Sequence, residues 1–265
     1  MSKVALSVLQ ITDLHILPES ENTLLGIKTE HYFHAVLNLA FANHNQYDLI
    51  IVTGDLAQEP CLSSYQRIRD RLTQTNVPSI CLPGNHDDYE LMNQVFNNDF
   101  VNCEKQVLVN EWQIISLNSQ VIGASSGYVD IPELAFLKTC LKQYPNTHTL
   151  IAIHHHFIPS HSPWLDTMII KNADEFIETI KQHPQVKLVT TGHVHQEIDS
   201  YEGHERILGT PSTCFQFMPL SASFSIDSKM PGYRHVTLYE NGTIDTQVYR
   251  IDGALHELDA NALGY

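Results

Sequence analysis

The chain of 265 residues carries 15 basic and 30 acidic side chains, a formal charge of −15 with histidine neutral. That balance spares little for a basic face, which disfavours a long nucleic-acid track or a coat on anionic membrane. With 43% hydrophobic and 17% charged residues and ordinary Gly and Pro usage, disorder, collagen and coiled coil are excluded, and a single domain over 1–265 is expected.

Strand-length apolar runs recur along the chain. The first, Val4–Ile11, is too short and too polar at Ser7 and Gln10 for a signal peptide, and it runs into Thr12-Asp13 without a small-residue cleavage pattern. No run approaches the length of a membrane span, so a soluble, cytoplasmic protein is expected. Phe33, Val36, Leu37 and Ala40 follow at helical spacing, then the run Leu49–Val52, then a second helical set at Tyr65, Ile68 and Leu72. Ile80–Leu82, Gln113–Leu117 and Leu150–Ile153 read as further strands. Between the last two, Leu134, Leu137 and Leu141 predict a helix starting near Pro132. Asn172 with Glu175 resembles a capping box ahead of Phe176, Ile177 and Ile180, and Leu188–Val189 with its flanks is the next strand. Strands alternating with helices predict an α/β fold. From about residue 197 the chain reads as mostly β. Gly203 divides the pair Glu197–Tyr201 and Glu205–Leu208, and Asn241-Gly242 divides Tyr233–Glu240 from Thr243–Arg250, both turn residues accepting positive φ. Five cysteines, odd in number and none two apart, argue for a reducing compartment and against a disulfide framework.

Five polar motifs follow five of these strands: Thr12-Asp13-Leu14-His15, Thr53-Gly54-Asp55, Pro83-Gly84-Asn85-His86-Asp87, His154-His155-His156 and Thr191-Gly192-His193-Val194-His195. Ligands of open α/β sheets bind at the carboxyl ends of strands, so the five motifs can meet on one rim. Gly54, Gly84 and Gly192 fit tight turns and close backbone approach there. On extended backbone, Asp13 and His15 point the same way, as do His193 and His195. Singly, each motif is an ordinary turn or an incidental histidine run; the conjunction in this order is what is specific. Asp, Asn and His donors without thiolate suit Mn, Fe, Zn or Co. Seven such ligands are too many for one tetrahedral zinc and suit two ions roughly 3.5–4 Å apart, as used on phosphate esters.

These motifs resemble those of the calcineurin-like metallophosphoesterases. A closer likeness is to the bacterial class III 3′,5′-cyclic AMP phosphodiesterases. It is carried by His154–Pro159, Ser162-Pro163-Trp164-Leu165-Asp166, Gly192–Glu197 and Thr210-Pro211-Ser212-Thr213-Cys214-Phe215-Gln216-Phe217. The resemblance implies a four-layer α/β sandwich, two mixed sheets flanked by helices. It implies one metal on Asp13, His15, Asp55 and His195, and a second on Asp55, Asn85, His154 and His193, with Asp55 bridging. The ions implied are iron and/or manganese, with zinc or cobalt as alternatives. His86 is implied as the catalytic residue beside the scissile phosphate, with His15, Asp55, Asn85 and His195 also on the substrate. His154 is implied as the ligand of its run, being the first histidine after the apolar strand, while His155 and His156 are candidates to line the pocket.

The reaction expected is hydrolysis of a cyclic nucleotide, 3′,5′-cyclic AMP to 5′-AMP, by a hydroxide held between two metals, with His86 protonating the departing 3′-oxygen. Asp87 or a backbone carbonyl is expected to fix the His86 tautomer. Motifs set the reaction type and not the organic group, so 2′,3′-cyclic nucleotides, glycerophosphodiesters, nucleotide-sugar pyrophosphates and phosphomonoesters stand as rivals. A basic residue in the motifs would favour a monoester; none is present. A non-catalytic scaffold of the same fold is disfavoured because all seven ligands and His86 are in place.

Overall fold

The computed structural model describes residues 2–44, 46–259 and 262–264. In chain order the elements are β1 (Val4–Ile11), α1 (Thr29–Asn43), β2 (Leu49–Thr53), α2 (Leu62–Thr73), β3 (Ser79–Leu82), α3 (Tyr89–Val95), β4 (Val101–Asn102), β5 (Gln106–Val109) and β6 (Trp112–Leu117). Then follow α4 (Ile131–Gln143), β7 (His148–Ile153), a 3-10 turn (Leu165–Met168), α5 (Ala173–Lys181), β8 (Val186–Thr191), β9 (Ile198–Glu202) and β10 (Glu205–Gly209). β11 (Gln216–Phe217), β12 (Ile226–Asp227), β13 (Gly232–Tyr239) and β14 (Ile244–Arg250) complete the order. None of the helices is long and apolar enough to cross a membrane, among the described residues.

Two six-stranded mixed sheets form the centre. One runs β14-β13-β1-β2-β3-β4, the other β5-β6-β7-β8-β10-β9, and β11 pairs with β12 apart from them. β1 to β4 are parallel, as are β6, β7, β8 and β10. The near-continuous apolar runs follow from burial on both faces. In β2, Leu49 and Ile51 join Leu150, Ala152 and Leu188 in the core between the sheets. Ile50 and Val52 point the other way, to Phe33, Val36 and Leu37 of α1 and Tyr65 and Ile68 of α2. In β7, Ile151 and Ile153 pack outward on Leu134, Leu137 and Leu141 of α4 and Phe176 and Ile180 of α5. Helix, sheet, sheet, helix is the four-layer sandwich expected.

The β-rich end supplies both sheets. β13 lies antiparallel beside β1, with Val8 facing Val236, and β9–β10 extend the second sheet beyond β8. Polar side chains tie the two sheets. Buried Gln10 donates to Thr53 Oγ1 (3.0 Å) and Thr191 O (3.1 Å) and accepts from Thr190 and from Thr210 Oγ1 (2.6 Å). Arg234 of β13, 2% exposed, donates to Gly209 O (2.8 Å) and Ile198 O (2.9 Å) of the other sheet.

Two local expectations are corrected. Asn172 does precede α5, but its side chain does not cap the helix; it bonds Val129 N (3.0 Å) and Val129 O (2.7 Å), stapling the loop before α4. In the β13–β14 turn only Gly242 takes positive φ (+83°), because the connection has four residues, Glu240 to Thr243, in which Gly242 N donates to Tyr239 O (2.9 Å) and the Asn241 side chain accepts from Thr243 N (3.2 Å).

Trp112, fully buried in β6, donates from Nε1 to Tyr239 O (2.9 Å) across the sandwich. Trp112→Ala is expected to cost about 3–5 kcal/mol, read as a lower urea midpoint at unchanged slope.

Candidate metal and catalytic site

All five motifs lie past the carboxyl ends of β1, β2, β3, β7 and β8, on one rim of the sandwich. Backbone bonds sew the loops together: Asp13 N to Gly54 O (3.0 Å), His15 N to Asp55 O (3.0 Å) and Gly192 N to His154 O (3.0 Å). The side chains converge by a different route from the one expected. Asp13, His15, Asp55, His193 and His195 all have left-handed backbone, with φ between +47° and +65°. The alternation of an extended strand therefore does not aim them; each chain turns sharply as it leaves its sheet. Val194 N bonds Gly192 O (2.7 Å), so His193 sits at the centre of a three-residue γ-turn of the strained, positive-φ kind. The glycines permit the crowding. A Cβ on Gly84 would lie 2.1 Å from Asp55 Oδ1, and one on Gly192 would lie 2.0 Å from Thr12 Oγ1.

Three imidazoles have their outer nitrogen fixed by an oxygen. His15 Nδ1 donates to Gln58 Oε1 (2.7 Å), His154 Nδ1 to Thr53 O (2.7 Å) and His195 Nδ1 to Phe215 O (2.8 Å). One proton thus sits outside and each Nε2 faces inward, the atom by which metal-binding histidines so oriented ligate. His15 Nε2 and His195 Nε2 stand 3.3 Å apart, and Asp13 Oδ1 lies 3.3 Å from the latter. His154 Nε2 lies 3.4 Å from Asp55 Oδ2 and 3.3 Å from Asn85 Oδ1. Asp55 stands between the two groups, its Oδ2 3.9 Å from His15 Nε2. His193 Nε2 is buried without a hydrogen-bond partner among the described residues. Facing lone pairs and an orphaned imidazole nitrogen fit cations. Sets able to hold one are the buried Asp13–His15–His195, Asp13–Asp55–His154 and His154–His155–His193, and His15–Asp55–His86, in which His86 is half-buried. The structure brings all seven expected ligands to one place.

Several supporting groups were not legible as such in the sequence. Gln58 serves two histidines, since its backbone oxygen also accepts from His86 Nδ1 (3.2 Å). That carbonyl, and not Asp87, orients His86. Asp87 instead accepts from the amides of Gly84 (2.9 Å), Leu56 (3.1 Å) and Ala57 (3.1 Å) and from Tyr65 Oη (2.9 Å), locking the β2 and β3 loops together. Segment 210–217 backs the Asp13 side: Ser212 Oγ donates to Asp13 O (2.8 Å), and the Phe217 ring stacks on His195 at 4.2 Å. A cavity of about 240 Å³ opens beside Asn85, His86 and His193, with Trp164, Phe217 and Phe224 in its wall. His155 and His156 do not line it. Both are buried, against His193, with His155 Nδ1 on Ser119 Oγ (2.8 Å) and His156 Nε2 3.4 Å from Asp166.

Residues 6–197 match the family described as calcineurin-like phosphoesterase. The chain belongs to this family. It is 37% identical to the 3′,5′-cyclic adenosine monophosphate phosphodiesterase CpdA of Vibrio vulnificus, over 100% of this chain and 97% of the relative. It is 36% identical to the protein of the same name from Escherichia coli K12, over 97% and 94%. Among solved structures, a dimetal phosphatase from Danio rerio superposes with a TM-score of 0.62 at 11% identity, covering 94% of this chain and 99% of that one. That last likeness concerns the fold alone.

The charge state of this phosphoesterase's rim follows from its burial. Burial pushes His15 down to about 3, and holds His193 well below the usual imidazole value with help from His155 and His154, so both stay neutral and able to ligate. Burial opposes ionisation of Asp13 and Asp55. The charge and hydrogen bond of His195 on Asp13, and chiefly of His154 on Asp55, outweigh it and hold both carboxyls below their ordinary range. Asp87, buried near Asp55, is raised to about 6. Burial also works against a proton on His154, but the Asp55 charge and hydrogen bond prevail and raise it to about 9.

His154 is therefore protonated at neutral pH before a cation arrives, and a cation ligated there must displace that proton. Metal uptake at pH 7.5 is expected to release about one proton per chain, and apparent affinity to fall about tenfold per pH unit below about 9, as long as this proton is the one displaced. Calorimetry in buffers of different ionisation enthalpy measures the release; uptake without it would show that His154 stays protonated.

Proposed function

We propose that this phosphoesterase is a metal-dependent phosphodiesterase that hydrolyses 3′,5′-cyclic AMP to 5′-AMP, working as one metallophosphoesterase domain in the cytoplasm. The observation that carries the reading is the rim itself. Buried imidazoles with outer nitrogens fixed and inner nitrogens facing one another stand behind Asn85, His86 and His193, which line a small cavity with no Lys or Arg in its wall among the described residues. A phosphomonoester carries about one more negative charge than a diester and calls for such cations. The names of the relatives, similar over nearly their full length, support the cyclic nucleotide as substrate.

Asp13, His15, Asp55 and His195 would hold one ion, and Asp55, Asn85, His154 and His193 the other. Oxygen and imidazole donors without thiolate suit manganese and iron, with zinc or cobalt as other outcomes of elemental analysis. Two such ions supply an acidified water and charge neutralisation at the phosphate. The chain does the rest. His15, Asp55, Asn85, His86 and His195 surround the phosphate. His86, its Nδ1 committed to the Gln58 carbonyl, handles its mobile proton at Nε2. One water adds its oxygen to phosphorus and gives up a proton to solvent, the P–O3′ bond breaks, and the 3′-oxygen leaves with the His86 proton, which solvent then restores; an alkoxide needs that help.

The deciding assay sets 3′,5′-cyclic AMP beside 2′,3′-cyclic AMP and an aryl phosphodiester, with chelated and metal-restored protein in parallel. Metal-dependent release of 5′-AMP with preference for the 3′,5′ ring is expected. Good aryl diesterase activity with negligible cyclic AMP turnover would keep the site and remove the substrate. His86→Ala is expected to keep its metal and lose about 10²–10⁴ in kcat; parental kcat would remove His86 from the chemistry. Asp55→Ala is expected to lose both ions, and two ions per chain by elemental analysis would rule out its bridging role.

A further inference from the structure

One wall of the cavity beside His86 is aromatic, and nothing in the metal chemistry calls for it. Trp164, Phe217, Phe224 and Met168 line it. Trp164 meets Phe217 edge to face at 4.9 Å and 85°, and Phe224 at 5.4 Å and 68°. The three rings touch one another and Phe217 is buried among them, so the half-buried Trp164, Phe224 and Met168 form the face that meets the cavity. Phe217 also lies against His195, at 4.2 Å and 23°, so the wall is continuous with the metal rim. The Trp164 Nε1–H is buried and has no hydrogen-bond partner among the described residues. That nitrogen has no accessible surface, so the indole meets the cavity with its ring and not with its N–H.

The backbone under the indole is rigid. Thr167 N (3.3 Å) and Thr167 Oγ1 (2.6 Å) both donate to Trp164 O. Asp166 Oδ1 accepts from Ser160 N (2.7 Å) and Ser160 Oγ (2.8 Å). Ser162 Oγ accepts from Leu220 N (3.0 Å), joining this turn to the loop that leads to Phe224. The rings are thus held in place by hydrogen bonds before any ligand arrives.

We infer that this wall is the base-recognition subsite of the enzyme: a purine packs its face against the rings that Trp164 and Phe224 present to the cavity. The subsite selects nucleotides among phosphodiesters and purines among nucleotides, because a two-ring base offers more face to the wall. Trp164 is the specificity-determining residue. The inference rests on the reading of this chain as a cyclic nucleotide phosphodiesterase and adds the part of the substrate that the metal motifs do not read.

The chain has two tryptophans, which makes the test direct. The other, Trp112, is fully buried in β6 with its Nε1 on Tyr239 O, in the core between the sheets. Ligand-dependent tryptophan emission therefore reports Trp164. In manganese-loaded protein, 5′-AMP is expected to quench emission and ribose 5-phosphate is not. Trp164→Phe is expected to lose the quench but, keeping an aromatic face, to hold kcat/KM for 3′,5′-cyclic AMP within about 3-fold of the parent. Trp164→Ala is expected to lower it about 5- to 150-fold, chiefly through KM, and to abolish preference for cyclic AMP over cyclic UMP. Emission in the parent protein indifferent to 5′-AMP, or an unchanged cyclic AMP to cyclic UMP ratio in folded Trp164→Ala, would overturn the subsite. Quenching by 5′-AMP in a parent that fails to turn over 3′,5′-cyclic AMP would uphold the subsite and overturn the substrate. Turnover without quenching would do the reverse.

Discussion

Two carboxylates, Asp13 and Asp55, are buried within one donor cluster at the seam between the sheets, and the rest of the site is organised around that fact. Like charges out of water repel, and neither can be tolerated alone. The protein answers with fixed dipoles and imidazoles. Asp13 accepts from His193 N (3.0 Å) and Thr12 Oγ1 (2.7 Å), and Asp55 from His86 N (2.9 Å). His195 and His154 stand against them as neighbours. Such a cluster is electrostatically unfinished. It has more lone pairs turned inward than protons to share among them, and cations complete it.

Holding these groups together sets the backbone's shape. Five of the site residues take left-handed φ, at a cost of about 1–3 kcal/mol each where the conformation is strained. The cost is met by the loops' mutual hydrogen bonds and by the cross-sheet ties of Gln10 and Arg234 directly beneath them. Asp87 contributes in the same way, gathering three amides and a phenol from two loops onto one carboxyl group. The site is rigid because the floor under it is polar and fully bonded, an uncommon place to spend buried hydrogen bonds.

How much of this was legible beforehand depends on where the information resides. Strands such as β2 and β7 announce themselves because both of their faces are covered, which makes four consecutive side chains of each apolar. The motifs after them carry donor chemistry in their side chains, so their meeting on one rim could be inferred from order alone. Three things could not. Conformation at Asp13 or His193 is not visible, since Asp and His accept both extended and left-handed backbone. Acceptors such as Phe215 O and Gln58 O belong to the main chain and have no residue type to recognise. The half-exposed β5 and the two-residue β4, β11 and β12 lack the length for a pattern. The aromatic wall escaped for a related reason: Trp164, Phe217 and Phe224 come from separate segments, and nothing in the order of those segments shows that the rings meet.

The pairing of β1 with β13 reaches beyond the finished molecule to its birth. Ser7 and His235, bonded across this pair at 2.9 Å, are 228 positions apart. At about 5–20 residues per second, the ribosome emits the partner roughly 10–45 s after β1. Over that interval a strand that ends buried throughout most of its length, and that carries the Asp13–His15 motif at its tip, has an unclaimed edge. Nascent-chain quality control therefore has a defined target: the wait of the first strand for almost the last.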